Sequence, residues 1–238
     1  MRQFLSRPNI FTTMKAGKLH DWNISYKEAI EIQRQLASQV RFTAIKKKPL
    51  IVAGLDCAFS NDGKIIFAAA VVIDLSDFSI IETATATRKV VFPYIPGLLS
   101  FRETPACIDA IEKLKTKPDV FIVDGQGIAH PRRLGIASHI GLLIDKPTIG
   151  CAKSRLTGTF KEPGNQKGNF SSLVDSDEEI GVALRTRTNV KPVFVSVGHK
   201  CALEDAISII LECTTRYRLP EPSRLAHQLV GRAKLNQH

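Results

Sequence analysis

The 238-residue chain has no apolar run approaching the ~20 residues that a membrane-spanning helix needs, so a soluble protein is expected. It also has no CxxC pair. Its five cysteines, Cys57, Cys107, Cys151, Cys201 and Cys213, are odd in number, widely spaced and preceded by no secretory signal. That pattern excludes a disulfide framework and a thiolate metal site, and reads as reduced, mostly buried thiols in the cytoplasm. No internal repeat is present, and no Pro- or Gly-rich linker divides the chain. Acidic residues are short: 23 Asp and Glu face 33 Lys and Arg, a net charge of +10. A surplus of that size favours a polyanionic partner, most simply nucleic acid. The first twenty residues carry Arg2, Arg7, Lys15 and Lys18 with no acid before Asp21. This bias is faintly like a transit peptide but is better read as a tail. Residues 1–24 are therefore expected to be a poorly ordered extension, ahead of one domain over 25–238.

What is there has a definite order. Ser25 and Glu28 form a capping box, and Ala29, Ile32, Leu36 and Val40 share one face of the helix that follows. PLIVAGLDCAFS reads as a buried strand ending in Asp56. The turn Asn61-Asp62-Gly63-Lys64 leads into the doubly apolar IIFAAAVVIDL, and a second turn leads into IIETATATRKVV. These make a three-strand antiparallel meander. Thr104 and Pro105 are expected to open a helix that Pro118 ends. DVFIVDGQG is a strand ending at Asp124, the next helix is expected to begin near Pro131, and PTIGCAK is a strand ending at Lys153. Two strand–helix–strand units after a meander imply an α/β fold with a mixed sheet flanked by helices. A basic loop over 154–169, a hairpin-like region through FVSVGH and two helices complete the chain.

Between the meander and the crossovers stands VFPYIPGLLSFRET, residues 91–104. Two prolines exclude a strand and the glycine disfavours a helix, leaving a stiff loop that carries Tyr94 and reaches Glu103. Asp56 and Asp124 each follow an apolar strand. If those strands are neighbours, their carboxylates meet at one sheet edge and repel unless a cation joins them. Hard oxygen ligands without a Cys or His cluster suit Mg²⁺, with Mn²⁺ able to substitute. Glu103 is a third candidate acid. His130, just beyond Gly125-Gln126-Gly127, and Lys153 can share that edge, where a cation steadies the charge of phosphoryl transfer. His227 has no spacing argument of its own.

Six blocks, VAGLDCAFS, PYIPGLLSFRE, DGQGIAHPRRLGIASHIGLL, IGCAKSRL, VSVGHK and RLPEPSRLAH, together resemble the endonuclease V family, from about residue 25 to the C-terminus. The resemblance implies an RNase H-like fold and a metal-dependent DNA repair endonuclease. Such an enzyme recognises deoxyinosine and hydrolyses the second phosphodiester bond 3′ to it, leaving 3′-hydroxyl and 5′-phosphate ends. It makes Asp56 and Asp124 the Mg²⁺ ligands, with Glu103, His130, Lys153 and His227 as further catalytic residues. Pro93, Tyr94, Ile95 and Pro96 become a wedge in the DNA, and Gly97, Leu99, Gly125 and Gly127 the wall of a base pocket. The expected partner is inosine-containing DNA, with inosine in RNA as the alternative, bound by a monomer. A non-cutting reader of deaminated bases is the rival from another class. It would gain nothing from carboxylates that face phosphates.

Overall fold

The computed structural model describes residues 14–235. Ser25 caps α1 (Tyr26–Ala37): its hydroxyl accepts from the Glu28 amide, and the Glu28 carboxylate accepts from the Ser25 amide. Three antiparallel strands follow, β1 (Ile51–Phe59), β2 (Ile65–Asp74) and β3 (Ile80–Lys89). Helix α2 (Leu99–Glu112) crosses to β4 (Val120–Val123), and α3 (Ile136–Ile144) crosses to β5 (Thr148–Ala152). β1, β4 and β5 are parallel neighbours. Then come β6 (Phe170–Asp175), β7 (Glu178–Leu184) and β8 (Val193–His199), followed by α4 (Leu203–Glu212) and α5 (Glu221–Leu235). All eight strands form one mixed sheet in the order β3-β2-β1-β4-β5-β8-β7-β6. This is the meander-then-crossover α/β arrangement expected of an RNase H-like sheet. Among the described residues no helix is long and apolar enough to cross a membrane.

Residue parity explains both layers. Val52, Ile122, Ile149 and Cys151 point to the face covered by α4 and α5, where Ala206, Ile210 and Ala226 meet them. Ala53, Leu55, Phe121 and Val123 point the other way, to Ala106, Ile111 and Ile140 of α2 and α3. Strands buried on both faces need apolar residues at successive positions, which is why β1, β2 and β4 read as continuous apolar runs.

Four boundaries differ from the sequence reading. β1 does not end at Asp56; it continues to Phe59, because β2 goes on pairing with it after β4 has stopped at the Leu55–Val123 pair. α2 starts at Leu99, not after Thr104, so Pro105 lies inside the helix and Glu103 within its second turn. The early start is stabilised by burying Leu98 and Phe101 against Phe92 and Ala29, which outweighs the local signals from Gly97 and Pro105. α3 begins at Ile136, five residues past Pro131, and residues 128–135 form a loop. The region called hairpin-like supplies three strands of the main sheet. Of the expected extension, residues 1–13 lie outside the described residues. Residues 14–24 make definite contacts: Met14 is buried, the Gly17 amide donates to Leu143 O, and Trp22 packs on Phe101 and His139.

Candidate active site

The parity that builds the core also gathers the site. Asp56, Asp124 and Lys153 sit two residues beyond Gly54, Ile122 and Cys151, on the α5 face of three adjacent strands. Asp124 and Lys153 lie just past the carboxyl ends of β4 and β5, and Asp56 lies within β1, one residue past the point where β4 stops pairing with it. Asp56 is buried and Asp124 half-buried. The Lys153 ammonium donates to Asp124 Oδ2. His227 arrives from α5, its Nδ1 2.7 Å from Asp56 Oδ2, and the Cys57 amide donates to Asp56 Oδ1 at 2.8 Å.

α5 can come this close because Gly54 has no side chain. A Cβ there would lie 2.1 Å from the carbonyl carbon of Pro222. Gly54 and Asp56 are two strand residues apart, about 6.6 Å, and Ser223 and His227 four helix residues apart, about 6 Å. The two rises match, so a helix touching Gly54 at Pro222 and Ser223 sets His227 above Asp56.

Ligand atoms of Asp56, Asp124 and His227 all lie within 4.8 Å of one another, the only such cluster among the described residues. Two carboxylates and one imidazole converging from three elements suit a divalent cation with hard donors. The electrostatics agree. Burial, then the charge of Asp124, raises the Asp56 carboxyl above the usual range despite its bonds to His227 and Cys57. Glu103, on α2 outside this cluster, is pushed up to about 8, by burial first and then by Asp56 and Asp124. For Lys153, burial alone would lower the ammonium, but its bond to Asp124 and the surrounding carboxylates outweigh that and raise it. Asp56 and Glu103 are thus both pushed towards their neutral forms by burial and by the other carboxylates of the site.

Asp124 and Lys153 also form one side of a cavity of about 370 Å³. The 91–98 loop contributes Tyr94, Ile95, Pro96 and Gly97 to its lining, with Leu99 beside them. Ile95-Pro96-Gly97-Leu98 is a β-turn closed by Leu98 N–H to Ile95 O at 2.9 Å, with Gly97 at φ +77. Proline followed by a left-handed glycine is what a type II turn requires, so the prong is stiff because of its sequence. Pro93 and Tyr94 stand in solvent at its outer side, Tyr94 69% exposed, with the Arg102 guanidinium near both its ring and that of Phe59.

Two expected residues lie elsewhere. His130 is not among the carboxylates. Its Nε2 bonds Gly97 O at 2.9 Å and its Nδ1 accepts the Arg132 amide, so it belongs to the cavity wall. Burial and then Arg132 lower its pKa to about 4, so the ring is neutral at physiological pH. Gly127 is behind the wall: a Cβ there would lie 2.0 Å from Val197 O, and the residue serves packing of the loop on β8. Gly125 does line the cavity. Sequence reading missed Gly54, Gln33, Arg102 and Arg132. Only Gln33 left a trace, as a polar residue interrupting the apolar face of α1 between Ala29 and Leu36.

A mixed sheet of this order with carboxylates meeting at the carboxyl ends of its parallel strands defines an RNase H-like nuclease. Known proteins narrow the class. The sequence model of the Endonuclease V family matches residues 34–228. The chain is 52% identical to the endonuclease V of Methanothrix thermoacetophila, over 94% of this chain and 99% of that protein. Its fold matches the Streptomyces avermitilis endonuclease V crystal structure with a TM-score of 0.87 and 40% identity, covering 95% and 99% of the two chains. It also matches the Ciona intestinalis endonuclease V in complex with a DNA containing an inosine followed by a ribo-adenosine, with TM-score 0.78, 29% identity, and 89% and 98% coverage. The chain belongs to the endonuclease V family and is a nuclease.

Proposed function

We propose that this chain is a Mg²⁺-dependent DNA repair endonuclease. It recognises deoxyinosine and hydrolyses the second phosphodiester bond 3′ to it, leaving 3′-hydroxyl and 5′-phosphate ends. One observation carries the reading: the cavity beside the Tyr94 prong shares Asp124 with the carboxylate cluster and also contains Lys153, which donates to that aspartate. A base held in the cavity therefore brings its own backbone to the acids. That the Ciona relative is seen with inosine-containing DNA supports the same reading.

Each residue has a task in it. Pro93, Ile95 and Pro96 hold the prong rigid, so little conformational freedom is lost when it enters the duplex. Tyr94 stacks in the gap left by the displaced base, offsetting the lost base stacking. Gly97, Leu99 and Gly125 line the space the extruded hypoxanthine takes, and His130 holds the Gly97 end of the wall. Asp56 and Asp124, with His227 beside them, would hold the divalent cation, and Glu103 is a further acid that feels the charge of both aspartates. A bound Mg²⁺, or Mn²⁺ in its place, would supply Lewis acidity at this site. Lys153 presents an ammonium to the developing phosphate charge. Arg155, Lys161 and Lys167 hold backbone phosphates further along the strand. All of these come from one chain, so a monomer suffices.

A second reading, inosine in RNA, is favoured by one detail: the Ciona complex carries a ribo-adenosine after the inosine. The test compares matched DNA and RNA strands, each with one inosine, incubated with Mg²⁺ and wild type or Asp56→Ala. A single nick one nucleotide beyond the inosine, in DNA and with wild type only, is expected. Cutting that ignores the inosine defeats the proposal, and cutting of RNA alone replaces it with the second reading.

A further inference from the structure

Three side-chain donors meet on one carbonyl of the prong. Gly97 O accepts from Arg132 Nη2 at 2.7 Å, His130 Nε2 at 2.9 Å and Gln33 Nε2 at 3.0 Å. A carbonyl oxygen has two lone pairs, and three side-chain donors on a loop carbonyl is an unusual concentration. Gln33 is the least expected of them. It is fully buried on α1, where its neighbours on that face are Ala29 and Leu36 and an apolar side chain would be the ordinary choice. Its whole amide is engaged: Nε2 also donates to Leu134 O at 3.0 Å, and Oε1 accepts from Arg132 Nε at 2.5 Å. One side chain therefore ties α1, the prong and the 128–135 loop together. Gly97 makes this possible, because a Cβ there would lie 2.7 Å from Arg132 Nη2.

We propose that Gln33 is a positioning residue for base recognition. Through Arg132 and the Gly97 carbonyl it fixes the Pro96–Gly97 turn, and with it the direction of Tyr94 and one wall of the base cavity. Gln33 does not itself line the cavity, and it precedes the residues that the family model matches. The inference rests on the base-reading function proposed above. Its consequence is differential. Contacts to backbone phosphates do not use the prong, whereas insertion beside a lesion requires it already ordered, since ordering it on binding would subtract from affinity. Loss of the Gln33 amide therefore weakens binding to inosine-containing strands and leaves binding to unmodified strands alone.

The test uses the full chain with Gln33→Met, which keeps the length and apolar stem but removes both donors and the acceptor. A second variant, Arg132→Lys, keeps a cation near Gly97 and loses the bond to Gln33. Deuterium exchange over residues 93–99 and dissociation constants for single-inosine and unmodified duplexes, without divalent metal, are measured for each. For Gln33→Met, faster exchange in 93–99 and about tenfold weaker inosine binding are expected, with unmodified duplex unchanged. Arg132→Lys should move both readouts in the same direction by less. Unchanged exchange over 93–99, or equal loss on both duplexes, overturns the inference. Faster exchange with the inosine preference intact overturns it too. If wild type shows no inosine preference, the base-reading function fails with it, and exchange alone then decides whether Gln33 orders the prong.

Discussion

His227 Nδ1 lies 2.7 Å from Asp56 Oδ2, and the absence of a side chain at Gly54 is what lets α5 bring it there. Gly54→Ala would place a Cβ 2.1 Å from the Pro222 carbonyl carbon and 2.6 Å from Ser223 N, both backbone atoms. The helix must move away. A loss of about 2 kcal/mol in stability is expected, in the range for overpacked sites. Under conditions where the variant is still fully folded, cutting should fall by more than tenfold, because the shift is transmitted to His227. Urea denaturation and single-turnover cleavage check the two parts separately. Full activity in a destabilised variant would show that the His227–Asp56 contact is not needed for cutting.

Glu103 supplies a prediction about charge. Its folded pKa of about 8 lies above the value of a free glutamate, so ionising it opposes folding. In metal-free protein the carboxyl is protonated and neutral up to about pH 7. Stability falls as pH rises from the free-glutamate value, near 4.3, towards 8, because the unfolded chain releases that proton first. Glu103→Gln removes the penalty. The metal-free variant should therefore melt higher than wild type at pH 7.5, with the gap closing at pH 5 and shrinking again when Mg²⁺ is added. Calorimetry at both pH values, with and without Mg²⁺, decides it; a variant that melts lower at pH 7.5 contradicts the assignment.

A buried histidine pair outside the carboxylate cluster gives the opposite slope. His139 is fully buried, its Nε2 2.7 Å from His20 Nε2, among Phe101 and Trp22. Burial, then His20, depresses it to about 3. A folded pKa below the unfolded value near 6.5 means the unfolded chain takes up the proton first, so stability is lost as pH falls below 6.5. At pH 5 this amounts to about 2 kcal/mol. His139→Phe should unfold with a flatter pH dependence between 7.5 and 5, by about that amount, in urea titrations at the two pH values. An unchanged slope would assign the acid sensitivity to other groups.

Tyr94 should separate recognition from stability. The residue is 69% exposed and contributes little to the core. Tyr94→Ala is expected to stay within about 0.5 kcal/mol of wild type in unfolding free energy. Binding to a single-inosine duplex should weaken at least about tenfold, the scale of one lost base–aromatic stack. Anisotropy titrations against inosine and unmodified duplexes read this directly. Equal affinities of variant and wild type for the inosine duplex would remove Tyr94 from recognition.

Much of this protein could be read locally. The capping box of α1, the meander, the parallel β4 and β5, and the stiffness of Pro93–Gly97 follow from signals within a few residues, because capping, pleat periodicity and turn geometry are short-range. The convergence of Asp56 and Asp124 was also accessible, since adjacent parallel strands leave their carboxyl ends on one edge. Only the tertiary structure could decide the rest. The start of α2 depended on where Phe101 could be buried, and the continuation of β1 past Asp56 on how far β2 kept pairing. The place of His227 depended on a glycine and a helix 168 positions apart, Gly54 and Pro222. His130 went to the prong and not to the acids, and Gln33 joined it there, because their partners, Gly97 and Arg132, are remote in the chain. Contacts of that kind depend on distance in space, and the linear order of residues carries little trace of them.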